Sequence, residues 1–230
     1  MNTIILIGLA ILPTVILIVL LLYFDRFDKE PVQLLVKVFF FGILSTIPTV
    51  IAERIGGYFN IFNGIFGIAI HAFIVVALSE EFFKRRVVLK RAYNHPAFNE
   101  KLDGIIYCSF ASLGFATAEN IMYVLSYQAA DQSIWVTRAL LSVPAHMLLG
   151  VTMGYYLAMA KFCMDPKKCK KYLRQSLFVP VILHGIFDFI LMSGSPFLLL
   201  FFIPFVIYLW VSSFKKLNIY YKDSKAMNSI

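Results

Sequence analysis

Glu80 and Glu81 stand side by side after the apolar run Phe73-Ile74-Val75-Val76-Ala77-Leu78, with Lys84 close behind. A charge held in hydrocarbon costs about 2.5–3.5 kcal/mol on insertion scales, so it needs a partner or a task. Three further apolar stretches carry similar groups: Glu119 beside Asn120, then His146, then the pair His184 and Asp188. Carboxylates and imidazoles are the bases, acids and metal ligands of hydrolytic chemistry. Four consecutive stretches, each supplying such a group, point to a polar site assembled inside a helical bundle.

Spacing refines this. Helix neighbours lie about 100° apart, so Glu80 and Glu81 cannot both face one point. One is expected to face the site. The other braces it or receives Lys84, which is i+4 from Glu80 and i+3 from Glu81. The bland alternative is an ion-paired, snorkelling helix end, because Lys84-Arg85-Arg86 follow at once. His184 and Asp188 are i,i+4 and share a face, where the carboxylate can fix the imidazole tautomer. Pro144, two residues before His146, removes a backbone donor and is expected to kink the helix there. Glu119 falls about 22 Å from the cytoplasmic start of its stretch. Small residues at Ala111, Ser112, Gly114, Ala116 and Ala118 permit close helix approach beside it. His71 lies about 180° around a straight helix from Glu80, and His95 sits in a basic loop, so both are set aside.

Absent motifs prune the chemistry. There is no HExxH, no GxSxG, no Walker loop and no dinucleotide glycine pattern. A serine–histidine dyad through Ser79 or Ser142 has no supporting spacing. What remains is carboxylate and imidazole chemistry on water. Desolvation suits a buried glutamate to act as general base on a water attacking a carbonyl, with His184, His146 or Asn120 stabilising the oxyanion. Glutamates Glu81 and Glu119 with His146 and His184 also form an N/O ligand set suited to zinc. Both mechanisms use the same residues. A proton- or cation-coupled carrier is the competing function, although carriers with inverted repeats pair their broken spans, and Pro48, Pro144, Pro180 and Pro204 show no pairing. A noncatalytic scaffold with polar interhelical contacts is a third.

These groups must be positioned by a membrane bundle. The chain has 230 residues, 60% hydrophobic, with a mean hydropathy of +0.79. Soluble domains run at about 45–50% apolar, so a single all-α integral membrane domain over residues 1–230 is expected. Seven spans are expected, roughly at 3–24, 32–52, 64–84, 104–128, 135–160, 176–192 and 196–214. The first has no basic leader and no small-residue cleavage site, and is read as an uncleaved span. Lysine and arginine set the orientation. Six fall in 84–103, six in 161–175, four from Lys215 onward, and Arg26 and Lys29 in the first loop, against Arg54 and Arg138 on the other side. The amino terminus is therefore expected outside and the carboxyl terminus in the cytoplasm. The net charge of +8 suits anionic lipid headgroups rather than nucleic acid. Cys108, Cys163 and Cys169 lack CxxC spacing and are read as reduced. The depth of the acid pair depends on the third helix. If that helix ends at Phe83 the acids lie near the cytoplasmic face; if it runs to Lys90 they sit on the order of 15 Å deeper.

With these motifs together, the chain resembles the PrsW family of membrane-embedded proteases. The resemblance runs from Asp25-Arg26-Phe27-Asp28-Lys29-Glu30-Pro31 through the sixth span. It takes in EExxK at Glu80–Lys84, FxxxE at Phe115–Glu119, HxxxG at His146–Gly150 and HxxxD at His184–Asp188. That family is similar to the CAAX-processing and bacteriocin-immunity-type membrane proteases. The resemblance implies a protease of the bacterial cytoplasmic membrane that makes the first cut in a single-span anti-sigma factor, outside the cytoplasm. A second intramembrane protease then trims the product, and an extracytoplasmic-function sigma factor is released under envelope or antimicrobial-peptide stress. It implies catalytic or ligand roles for Glu80, Glu81, Glu119, His146 and His184, with Asp188, Asn120 and Lys84 in support, and either zinc or a metal-free glutamate mechanism.

Overall fold

The computed structural model describes residues 3–126 and 137–228, all of whose regular structure is helical. Helix α1 spans Thr3–Phe24 and α2 spans Val32–Phe59. The third rod is composite, with α3 at Gly64–Ile70, a π-helical segment at His71–Ala77 and α4 at Leu78–Arg91. Helix α5 spans Lys101–Ser126. A second π segment, Arg138–Ser142, runs straight into α6, Val143–Lys161. Helix α7 spans Pro166–Met192, a single turn α8 spans Pro196–Leu199, and α9 spans Phe202–Asn228. Seven helical stretches among the described residues are long and apolar enough to cross a membrane.

Several boundaries differ from those expected, because hydropathy sees only the apolar part of a helix and helical propagation continues into polar sequence. Helix α2 runs past residue 52 to Phe59, since Ile55-Gly56-Gly57-Tyr58-Phe59 holds neither proline nor charge. Glu53 and Arg54 therefore belong to the helix, not to a loop. The third rod continues past 84 to Arg91, so Lys84, counted as a loop cation, lies within it. Helix α7 begins at Pro166, where Asp165 caps it by accepting from the Lys167 amide at 2.9 Å. Helix α9 continues past 214 to Asn228. Arg138 opens the second π segment rather than lying in a loop. The expected span ends at 127–128 and 135–136 fall outside the described residues.

Helices α5 and α6 are the buried centre, with most of each shielded by the helices around them. Their contact is close because glycine meets glycine. A Cβ on Gly104 would come within 2.7 Å of the Gly154 carbonyl, and one on Gly154 would run into the Gly104 carbonyl. Gly114 likewise lies against the Phe39 carbonyl of α2. The outer helices show apolar flanks, including Val19, Ile47 and Val211. In water such surface would be a liability; against lipid chains it is solvated. The cysteines are free thiols.

The two π segments matter most for the site. In each, a backbone N–H reaches back five residues instead of four: Leu78 to Phe73, and Val143 to Arg138. Each residue there turns through less than the α-helical angle, so the face presented downstream is rephased. One segment ends three residues before Glu80 and the other ends four before His146. Pro144, expected to kink its helix, instead sits in the first turn of α6 directly after the wide segment.

Candidate active site

Lys84 is the hub of the polar centre. It is fully buried, and its ammonium donates to Glu80 Oε2 at 2.8 Å, Glu81 Oε1 at 2.9 Å and His146 Nδ1 at 2.9 Å. All three of its donors are thereby satisfied. The Phe115 ring lies beneath it, 4.3 Å from ammonium to centroid, which accounts for the aromatic residue four positions before Glu119. The acid pair thus shares one cation although its members point about 100° apart. Helix continuation to Arg91 sets Glu80 about 16 Å from that end of the rod.

The protonation pattern follows from Lys84, which can only donate. His146 Nδ1 must accept, so its proton sits on Nε2, 3.0 Å from Glu119 Oε2. The same Glu119 oxygen lies 3.0 Å from the Arg138 guanidinium, which stacks 3.7 Å above the Tyr123 ring. His184 Nδ1 lies 3.0 Å from Glu81 Oε1, so Glu81 braces the imidazole from behind. Its Nε2 then faces Asp188 Oδ2 at 3.3 Å and Glu80 Oε2 at 4.0 Å. The two imidazole rings are edge to face, 5.4 Å apart.

Glu80, His146 and His184 each offer a donor atom within 4.8 Å of the others, and all three are buried. Two nitrogens and a carboxylate oxygen form a set suited to zinc with an open position. A second observation agrees. Asp188 Oδ2 is buried without a hydrogen-bond partner, although it lies near His184 Nε2. With Nδ1–H directed at Glu81, the Nε2 lone pair faces the oxygens of Asp188 and Glu80, an arrangement that calls for a cation between them. The residues present therefore fit a metal. The grouping differs from the expected ligands Glu81, Glu119, His146 and His184: among the described residues it is Glu80 whose carboxylate oxygen comes within 4.8 Å of both imidazoles' ligand atoms.

Glu80, Glu119, His146, His184 and Asp188 line a cavity of 340 Å³ whose wall also holds Glu53, His71, Tyr123, Arg138 and Ser142. It reaches the surface beside Leu191 and Met192, 40% and 43% exposed, where α7 ends. His71 was expected to face away from Glu80, but the π segment between them rephases the rod and brings it to the wall. Asn120 does not join. It turns to α1, its Nδ2 donating to the Ala10 carbonyl at 2.9 Å, because it lies one helical step around from Glu119. Glu53 and Arg138 were missed as site residues; neither belongs to a motif, Glu53 being followed at once by Arg54 and Arg138 standing alone in an apolar stretch. His95 is exposed in its loop, away from the cavity.

Residues 30–211 match a protein-family profile described as PrsW family intramembrane metalloprotease. The chain is 36% identical over 218 residues to "Protease PrsW" of Clostridioides difficile (strain 630), covering 94% of this chain and 92% of that protein. It is 37% identical over 202 residues to "Protease PrsW" of Bacillus subtilis (strain 168), covering 86% and 89%. It is 39% identical over 202 residues to "Protease PrsW" of Oceanobacillus iheyensis, again covering 86% and 89%. No solved structure matches the chain. The matched segment contains every charged side chain that lines the cavity, and these lie on five of the seven helical stretches suited to crossing a bilayer. The chain is a multi-pass membrane protease and belongs to the PrsW family of intramembrane metalloproteases.

Proposed function

We propose that this protease makes the first cut in a single-span anti-sigma factor, on the extracytoplasmic side, and so starts release of an extracytoplasmic-function sigma factor under envelope or antimicrobial-peptide stress. One observation carries the assignment of the site: Glu80, His146 and His184 converge in a cavity reaching the surface where α7 ends. The basic segments lie at the opposite helix ends, which supports an outward-facing mouth. A single membrane domain over residues 1–230, with its amino terminus outside, carries the whole activity.

In the metal-free form of this mechanism Glu80 is the general base. Its Oε2 is anchored by Lys84, while Oε1 has no hydrogen bond to a described residue and is free to take a proton from water. In the alternative, metal form, zinc held by Glu80, His146 and His184 would instead supply a Lewis acid for the carbonyl and a water of lowered pKa, with the ion taking the place of Lys84 at the His146 lone pair. Glu81 and Asp188 fix the orientation of His184. Lys84 keeps the two acids from repelling each other in a region of low dielectric.

The test is cleavage of a co-expressed single-span membrane reporter bearing the juxtamembrane region of an anti-sigma factor. Glu80→Ala and Glu81→Ala are expected to abolish cleavage at unchanged membrane levels. Persistent cleavage in both variants removes the assignment. Cleavage of an unrelated single-span reporter at the same rate removes the anti-sigma specificity.

A further inference from the structure

We propose that Glu53 is a specificity-determining residue of this cavity, the seat for a cationic side chain of the substrate. The proposal rests on the reading that a peptide enters here, and it adds a recognition element on α2, a helix that carries none of the four motifs.

Charge pairing in the cavity selects this residue. Glu80 and Glu81 share Lys84, Glu119 takes Arg138 and His146, and Asp188 lies against His184. Glu53 lines the same cavity, is half-buried, and forms no ion pair or hydrogen bond with any described residue. Arg54, the next residue, is exposed and about 100° around the helix. The charged groups that act on Glu53 are Glu80, Glu119, Lys84 and His184. Lys84, Arg138 and His184 already have carboxylate partners of their own, and none of the three is paired with Glu53 among the described residues. An acid inside a span without a partner is costly, and a partner supplied by substrate would lower that cost.

Position agrees. Glu53 lies six residues before the end of α2, about 9 Å in, and Arg138 opens the segment leading to α6 at the same end of the bundle. A substrate entering by the mouth meets Glu53 before it reaches Glu80. The nearby carboxylates of Glu80 and Glu119 disfavour an anionic side chain there. Arg138 offers no counter-attraction, being held by Glu119 and stacked on Tyr123. Discrimination by one charge-assisted hydrogen bond against its loss is worth roughly tenfold or more in affinity.

The experiment uses purified full-length protein in nanodiscs of zwitterionic lipid and three fluorescent single-span helical peptides. These carry lysine, glutamine or glutamate just outside the apolar stretch and are otherwise identical. Anisotropy gives Kd for each. With wild type, the lysine peptide is expected to bind about tenfold tighter than the glutamine peptide. Glu53→Gln should equalise the two, Glu53→Asp should retain the preference, and Glu53→Lys should shift it toward the glutamate peptide. Equal affinities in wild type, no measurable binding of any peptide, or a preference that survives Glu53→Gln overturns the proposal. Cleavage of the same peptides is followed in parallel. Selective binding without cleavage would count against the hydrolytic reading alone, and cleavage without selectivity against the role of Glu53 alone.

Discussion

Replacing Lys84 with methionine keeps an unbranched side chain as far as the ε carbon and removes the charge at the centre of the site. Three contacts shorter than 3 Å disappear together, to Glu80, Glu81 and His146, at a position with no solvent exposure. Two buried carboxylates are then left facing each other without their shared cation. Breaking a buried ion pair by removing one partner costs about 3–5 kcal/mol. For a chain of this size each kcal/mol moves the midpoint by roughly 2–4 °C, so Lys84→Met should lower Tm by about 6–20 °C. Thermal unfolding in detergent, followed by intrinsic fluorescence, measures this. The double variant Lys84→Met with Glu80→Gln removes one orphaned acid and should recover part of the loss, whereas independent sites would show additive losses. An unchanged Tm for Lys84→Met, or a double variant worse than the sum of the singles, would refute the hub role of Lys84.

Three other outcomes follow from the structure. Gly185→Ala places a Cβ into the Phe73 ring and should cost about 1–3 kcal/mol by overpacking, with partial rescue by Phe73→Leu in thermal unfolding. Arg138→Gln removes a charged partner of Glu119 and should cost about 1.5–3 kcal/mol; adding Glu119→Gln to it should cost less than Glu119→Gln alone in a double-mutant cycle. Burial raises the Asp25 carboxyl to about 7, and the nearby Asp103, Glu100 and Asp28 push the same way. A carboxyl raised on folding contributes stability that is full below its unfolded value near ~4 and lost as pH rises through the folded value. D25N should therefore gain on wild type by up to about 4 kcal/mol as pH rises from about 4 to 8, read from unfolding midpoints across that range. Glu30 and Glu100, raised by burial to about 10 and about 7, act in the same direction.

The sequence made much of this centre legible because ionisable residues are rare in apolar helices and therefore stand out. Glu80, Glu119, His146 and His184 could be picked one span at a time, and the i,i+4 spacing of His184 and Asp188 foretold their contact. Angular relations across a non-ideal helix were less accessible. No residue pattern announced the π segments, so a straight-helix count turned His71 away from a cavity that it lines. Glu53 was lost to a boundary: ending α2 at 52 placed it in a loop, where an acid calls for no comment. Continuing the helix through the uncharged stretch to Phe59 would have exposed it to the same test that found Glu119. Arg138 was counted only as a topological charge, and its pairing with Glu119 depends on how α5 and the second π segment approach each other. The choice between Glu80 and Glu81 as the cavity-facing acid was likewise open until Glu81 was found behind His184.

Metal content decides the central claim, that Glu80, His146 and His184 together form the hydrolytic centre. Elemental analysis of purified wild type beside His184→Ala, at matched protein and without chelator, is the direct measurement. One equivalent of zinc per chain in wild type, and little in the variant, is the predicted result. The same metal content in both proteins, or a fully active wild type with none, would contradict it.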